Sequence, residues 1–146
     1  MKVLLLLVLG LILGCGPSVP GPVRPYGSKI FVRGNFFKDK NSDDTTSWAM
    51  CDDRNEMKRV GAYDYELSMS LKPGTYNFKI GDKTWKAVSL GVPKPKSGRL
   101  EPGKPEVLLF ADGTMNLEIR IPTSGTYRFY LDAADRLNPV LTIAAK

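Results

Sequence analysis

From Lys29 onward the chain is written in short runs of alternating apolar and polar residues. Tyr63, Tyr65, Leu67, Met69 and Leu71 alternate with Asp64, Glu66, Ser68 and Ser70, and Tyr76, Phe78 and Ile80 resume the rhythm beyond Pro73-Gly74. A period of two sends one set of side chains to a buried face and the other into water, so each run predicts a half-buried β-strand. Met115, Leu117, Ile119 and Ile121 make a further run. After the break at residues 122–126, Tyr127, Phe129 and Leu131 make another. Lys29–Arg33, Val107–Phe110 and Val140–Ile143 add shorter segments rich in β-formers, and no window of a dozen residues carries a helical period. About seven short strands separated by Gly- and Pro-rich turns predict an all-β antiparallel sandwich, immunoglobulin-like in outline.

The pattern also suggests a register. With Pro73-Gly74 as a two-residue loop, Leu71 faces Tyr76, Met69 faces Phe78 and Leu67 faces Ile80, apolar against apolar throughout. This predicts a tight hairpin whose polar face carries Asn77 and Lys79. The run ending at Ile121 and the run opening at Tyr127 predict a second hairpin. Gly-Thr-Tyr opens the second strand of each, at 74–76 and 125–127, which reads as shared turn chemistry.

Composition narrows the function. The 146 residues include 14 Gly and 11 Pro, as a turn-rich β fold requires, and no histidine. The commonest general base and metal ligand are therefore missing. A net charge of +6, spread along the chain, points to an anionic surface or membrane; no basic stripe or module suggests nucleic acid. Residues 93–105 gather Lys94, Lys96, Arg99 and Lys104 into one long basic loop, either a solvated excursion or a contact for an acidic partner. Asp43-Asp44 and Asp52-Asp53 read as solvated turn formers, with a calcium ion as the alternative. No cofactor or resident metal is expected.

The N-terminus carries an export signal. Lys2 precedes an apolar run from Val3 to Leu13, too short to cross a bilayer as a mature helix. It ends in Ile12-Leu13-Gly14-Cys15, which resembles the lipobox of bacterial lipoproteins; the resemblance implies cleavage after residue 14 and lipidation of Cys15. An ordinary secretory signal is the alternative. Gly16 after the cysteine implies, by the same resemblance, the outer membrane of a two-membrane envelope. Residues 16–28 hold four prolines and three glycines and predict a tether. The expected organisation is thus a signal peptide at 1–14, a lipidated cysteine and tether at 15–28, and a sandwich at 29–146. Cys51 is then the one remaining thiol; without a histidine to activate it, it reads as inert.

Ile30–Phe36, the segment Leu71–Ile80 followed by Trp85, and the tail from Asn116-Leu117 through Gly125-Thr126-Tyr127 to Pro139-Val140-Leu141 come in an order that resembles one family. It is the starch- and glycogen-binding early-set immunoglobulin-like sandwich, found beside pullulanases and in the glycogen-sensing subunit of a protein kinase. The resemblance covers about residues 29–146. It implies that Trp85 stacks on a glucose ring and that Lys79 hydrogen-bonds sugar hydroxyls. The family's second tryptophan follows the first strand; here Phe36-Phe37 stand near that place and Trp48 comes later, as a displaced partner or a core residue. Trp85 itself reads either as a binding residue or as a cap on one end of the sandwich. A pyranose has an apolar C–H face and a hydroxyl edge, so a flat ring beside Asn77 and Lys79 suits it independently of any family.

The expected function is a lipid-anchored, non-catalytic module binding α-glucan or another glycan through Trp85, Lys79, Asn77 and Trp48. The alternative is a cell-envelope interaction or adhesion lipoprotein that keeps the fold, has no sugar site and meets a protein partner.

Overall fold

The computed structural model describes residues 25–37, 44–94 and 96–146. The leader, Cys15, the tether up to residue 24 and Asp43 lie outside them. Among the described residues are eleven strands: β1 (Ile30–Gly34), β2 (Glu56–Arg59), β3 (Asp64–Leu71), β4 (Gly74–Gly81), β5 (Ser89–Gly91), β6 (Arg99–Leu100), β7 (Pro105–Val107), β8 (Leu109–Phe110), β9 (Leu117–Ile121), β10 (Gly125–Asp132) and β11 (Val140–Ala145). A short helix, α1 (Asp44–Ala49), is the one α element among them, and its six residues are too few to leave a periodic signature in the sequence.

The strands form the expected sandwich. One layer runs β6-β9-β4-β1, with β5 beside β4 and β8 beside β5; the other runs β2-β3-β10-β11-β7. They touch at one corner, where Ile30 and Phe31 of β1 pair with Met57 and Glu56 of β2. Every pairing is antiparallel except β6 beside β9. Phe78, Ile80, Leu117, Ile119 and Ile121 from one layer meet Leu67, Met69, Phe129, Leu131 and Ile143 from the other, all buried. Each such side chain contributes about 1.5–3 kcal/mol by leaving water. Phe36 closes the core, its ring centroid 5.4 Å from that of Phe78 and 5.7 Å from that of Phe129.

Neither expected hairpin exists. β3 pairs with β10, Leu71 opposite Gly125, and β4 pairs with β9, Gly74 opposite Ile121. At Lys72-Pro73 and again at 122–124 the chain turns a corner and crosses to the other layer. The apolar faces do meet as the alternation requires, but across the sandwich instead of side by side. Period-two alternation fixes which face of a strand is buried but not which strand lies beside it, so the same pattern serves a corner as well as a hairpin. The two Gly-Thr-Tyr copies explain themselves here. The Tyr76 hydroxyl donates to the Lys72 carbonyl (2.9 Å) and the Tyr127 hydroxyl to the Thr123 carbonyl (3.0 Å). Each tyrosine ties its own corner, the device called a tyrosine corner in immunoglobulin-like domains.

Other expectations also shift. Tyr63 is exposed and the strand begins at Asp64. Val107–Phe110 is split by buried Leu108 into β7 and β8, which lie in opposite layers. The 93–105 segment is no free excursion, because β6 runs beside β9 and Leu100 is buried. The sandwich also starts upstream of residue 29: Tyr26, read as tether, is buried against Tyr65 and Phe110, and its hydroxyl donates to the Arg136 carbonyl.

Engineered disulfides distinguish the corner from the hairpin. In a background with Cys15→Ser and Cys51→Ser, the pair Ser70→Cys/Thr126→Cys, opposite each other on β3 and β10, is expected to close on mild oxidation. Ser70→Cys/Asn77→Cys, opposite each other only in the hairpin register, is expected to stay reduced. Thiol titration reads both.

Candidate functional site

Arg33 organises the site. It lies on β1 opposite Lys79 of β4, on the face that alternation sends away from the core. It is nevertheless only 5% exposed, because α1 and the loop after β4 close over it. Its Nε donates to the Trp48 carbonyl (2.9 Å), and its Nη1 to the carbonyls of Asp82 (2.9 Å) and Lys83 (3.2 Å). The guanidinium carbon sits 3.9 Å from the centre of the Trp85 ring, a cation–π contact. Burial lowers the Arg33 pKa, with Cys51 and Asp82 nearby opposing the shift; a guanidinium remains charged regardless.

The loop bearing Trp85 is shaped by Asp82, which is buried. One carboxylate oxygen accepts from the amide (3.0 Å) and hydroxyl of Thr84, the other from the amides of Ala87 (3.2 Å) and Val88 (3.0 Å). Burial alone would raise this carboxyl's pKa, but the Thr84 hydroxyl and the three amides outweigh it and hold it below the ordinary aspartate value. Within the loop Trp85 takes φ 63°, a left-handed conformation that costs a bulky residue about 1–2 kcal/mol. The ring then lies against Gly81, where a Cβ would fall 2.4 Å from two ring carbons.

Trp48 arrives by another route. Ser47 in α1 donates its hydroxyl to the Gly34 carbonyl (2.5 Å) and accepts from the Phe37 amide (3.3 Å), docking the helix on the end of β1. Gly34 permits this close packing; a Cβ there would meet the Asn77 carbonyl at 2.2 Å. Beyond the helix, fully buried Asn55 donates to the carbonyls of Val32 (3.1 Å) and Met50 (2.7 Å) and pins the return of the chain. Helix α1 thus brings Trp48 to the cleft that Trp85 also lines.

The two tryptophans, both half-buried, line one cleft of about 560 Å³ together with Lys79, Ser89, Asp112 and Asn116. Trp48 is therefore a cleft residue, not part of the core. Burial lowers the Lys79 pKa, Asp112 opposes that and Lys94 adds to it. Among the described contacts its ammonium has no hydrogen-bond or ion-pair partner. The cleft offers a donor (Lys79), an acceptor (Asp112) and an amide that does both (Asn116), between aromatic walls. Asn77 does not line it; Asn77 is two residues along the same strand face, in an adjoining depression that shares Asn116.

Sequence reasoning missed Arg33, Asp112 and Asn116. Arg33 left one signal, a charge within an otherwise apolar β-segment; the turn Asp112-Gly113 and the residue before β9 left none. Cys51 is half-buried near Arg33, and burial raises its thiol pKa despite that cation, so the nucleophilic thiolate is disfavoured. Asp52 caps a turn, accepting from the Arg54 amide (2.9 Å) and guanidinium.

No family model matches the chain and no curated protein matches it. Among solved structures it is similar to one described as the ligand-induced structure of AmyP-SBD, with a TM-score of 0.56 and 19% identity, covering 100% of this chain and 95% of that one. At that identity the likeness supports the sandwich fold.

The Asp82 clamp predicts acid sensitivity. Because the folded pKa is depressed, its stabilisation is complete above the unfolded value of about 3.9 and is lost as pH falls through the lower folded value. Wild-type melting temperature is expected to fall steeply below about pH 4. Asp82→Asn is expected to lower stability at neutral pH by about 1.5–3 kcal/mol, the worth of hydrogen bonds to a charged group, and to flatten that acid limb. Thermal melts across pH 2–7 check both outcomes.

Proposed function

We propose that this chain is a non-catalytic module that binds α-glucan, of the glycogen or starch kind, with a sugar ring held in the cleft between Trp48 and Trp85. One observation carries the reading: two tryptophans distant in sequence converge on one cleft with a lysine that has no partner among the described contacts. A pyranose presents its C–H face to an aromatic ring and its hydroxyl edge to polar groups. Lys79 donates to such hydroxyls and Asp112 accepts from them. Arg33 stacked on Trp85, the Asp82 clamp and the docked α1 set the two rings before a ligand arrives, which spares the ordering cost of binding. The similarity in fold to a starch-binding domain supports the same reading.

The alternative of an interaction module without sugar binding draws in part on the late position of Trp48 in the sequence; the place of Trp48 in the cleft favours the glycan reading.

The leader adds a location: a domain tethered through a lipidated Cys15 to a bacterial envelope, on the outer membrane where there are two, holding glucan near the surface. More than one acyl chain makes such an anchor stable.

Native affinity electrophoresis through glycogen or amylopectin tests the binding. The wild type is expected to be retarded, and Trp85→Ala or Trp48→Ala to weaken retention about tenfold or more, the worth of a lost aromatic contact. Circular dichroism checks that each variant is folded. Free migration of the wild type, or retention indifferent to Trp85→Ala, overturns the proposal. Separately, metabolic labelling with palmitate is expected to mark the wild type in a bacterial host and to leave Cys15→Ser unlabelled.

A further inference from the structure

The cleft does not end at Asn116. That residue is shared with a second depression of about 550 Å³, which takes in Asn77, Lys94, Arg99 and Glu118. Arg99 and Glu118 are shared in turn with a third, of about 970 Å³, which reaches Thr75, Glu101 and Arg120. The strand register places these groups in order. On the outer face of β4, Lys79, Asn77 and Thr75 are each two residues apart, hence about 6.6 Å per step. Asn77 lies opposite Glu118 of β9, Thr75 opposite Arg120, and Arg99 of β6 beside Glu118. From Gly81, under Trp85, to Thr75 the face runs about 20 Å.

The basic 93–105 segment is the far wall. The Glu118 amide donates to the Gly98 carbonyl (2.7 Å), and Gly98 packs so closely that a Cβ would meet the Asn116 carbonyl at 1.9 Å. Arg99 pairs with Glu118 (3.2 Å), and Lys96 pairs with Glu106. The wall is therefore bound to the sheet.

The chemistry of this trough selects its occupant. Lys79, Lys94, Arg99 and Arg120 are interleaved with Asp112, Glu118 and Glu101, so donors and acceptors alternate and no single sign of charge dominates. An anionic polymer gains little there. The trough runs over the outer faces of β4 and β9 and reaches the edge strand β6 at its far end. No aromatic side chain lines its second and third parts among the described residues. A neutral, hydroxyl-rich chain fits. We infer that the outer face of β4 is one continuous trough for a single unbranched glycan chain, stacked at the Trp48–Trp85 end and hydrogen-bonded along its length by Asn77, Arg99, Glu118 and Arg120. This rests on the glycan-binding reading above and extends it from one ring to several consecutive ones.

Calorimetric titration of the protein with maltotriose and maltoheptaose tests it. For the wild type, affinity is expected to rise about tenfold or more from the shorter to the longer chain, which is about 1.4 kcal/mol and the worth of one or two added hydrogen bonds. In the exposed double variant Arg99→Ala/Arg120→Ala, the gain with length is expected to fall below about threefold. Equal affinities for the two sugars, or a gain with length that survives the double variant, overturn the extended trough while leaving single-ring binding intact. Failure of both sugars to bind the wild type overturns both.

Discussion

A buried guanidinium in contact with three backbone carbonyls and one indole ring holds the candidate site together. Arg33 draws its acceptors from two stretches of chain, the end of α1 and the loop after β4, that otherwise have little reason to approach each other. Removing its charge would strand those carbonyls in a poorly solvated place, and each unsatisfied group costs about 1–3 kcal/mol. The arrangement has no carboxylate partner among the described residues. That matters for the cleft, because the groups that hold Arg33 in place by hydrogen bonds are carbonyl dipoles. Asp112 is left to face Lys79 and the open space.

Beneath this lies a sandwich whose strands are paired with partners far away in sequence. The same end-to-end pairing that builds the core also builds the outer face. β4 receives β1 on one side and β9 on the other, so its outward residues are flanked by Arg33 near one end and by Glu118 and Arg120 near the other. A locally paired hairpin would have set Ser68 and Ser70 beside Lys79 and Asn77 instead, a surface of small hydroxyls with neither tryptophan nor arginine. The polar character of the face was legible from alternation. Its flanking chemistry depended on which strands became neighbours.

That distinction marks how far the sequence could be read. Period-two alternation in 64–71, 74–81, 117–121 and 125–132 identifies the strands and their buried faces, because burial acts on each residue through its own side chain. It is silent on partners: an apolar face is equally satisfied by a neighbour in the same sheet or by one across the core. Trp85 and Lys79 were visible because both sit on or next to a strand with a strong pattern. Trp48 was ambiguous because six residues of helix and a serine–carbonyl bond decide where it goes. Asp112 and Asn116 were invisible, since turn residues carry no periodicity and their role exists only once β8, β9 and β4 are assembled.

The paired corners have one more consequence, for how the chain reaches its native state. A register that sets apolar against apolar is also one that a newly made chain can sample, and it closes a far shorter loop than pairing β3 with β10. Loop closure favours the near partner first. The hairpin is thus a competing local minimum, and the two tyrosine ties disfavour it. Folding of this domain is governed by distant pairings and is expected to be slow for its size. While the distant pairings are unmade the chain exposes the apolar faces of β3 and β4, which leaves a window for aggregation or for capture by chaperones.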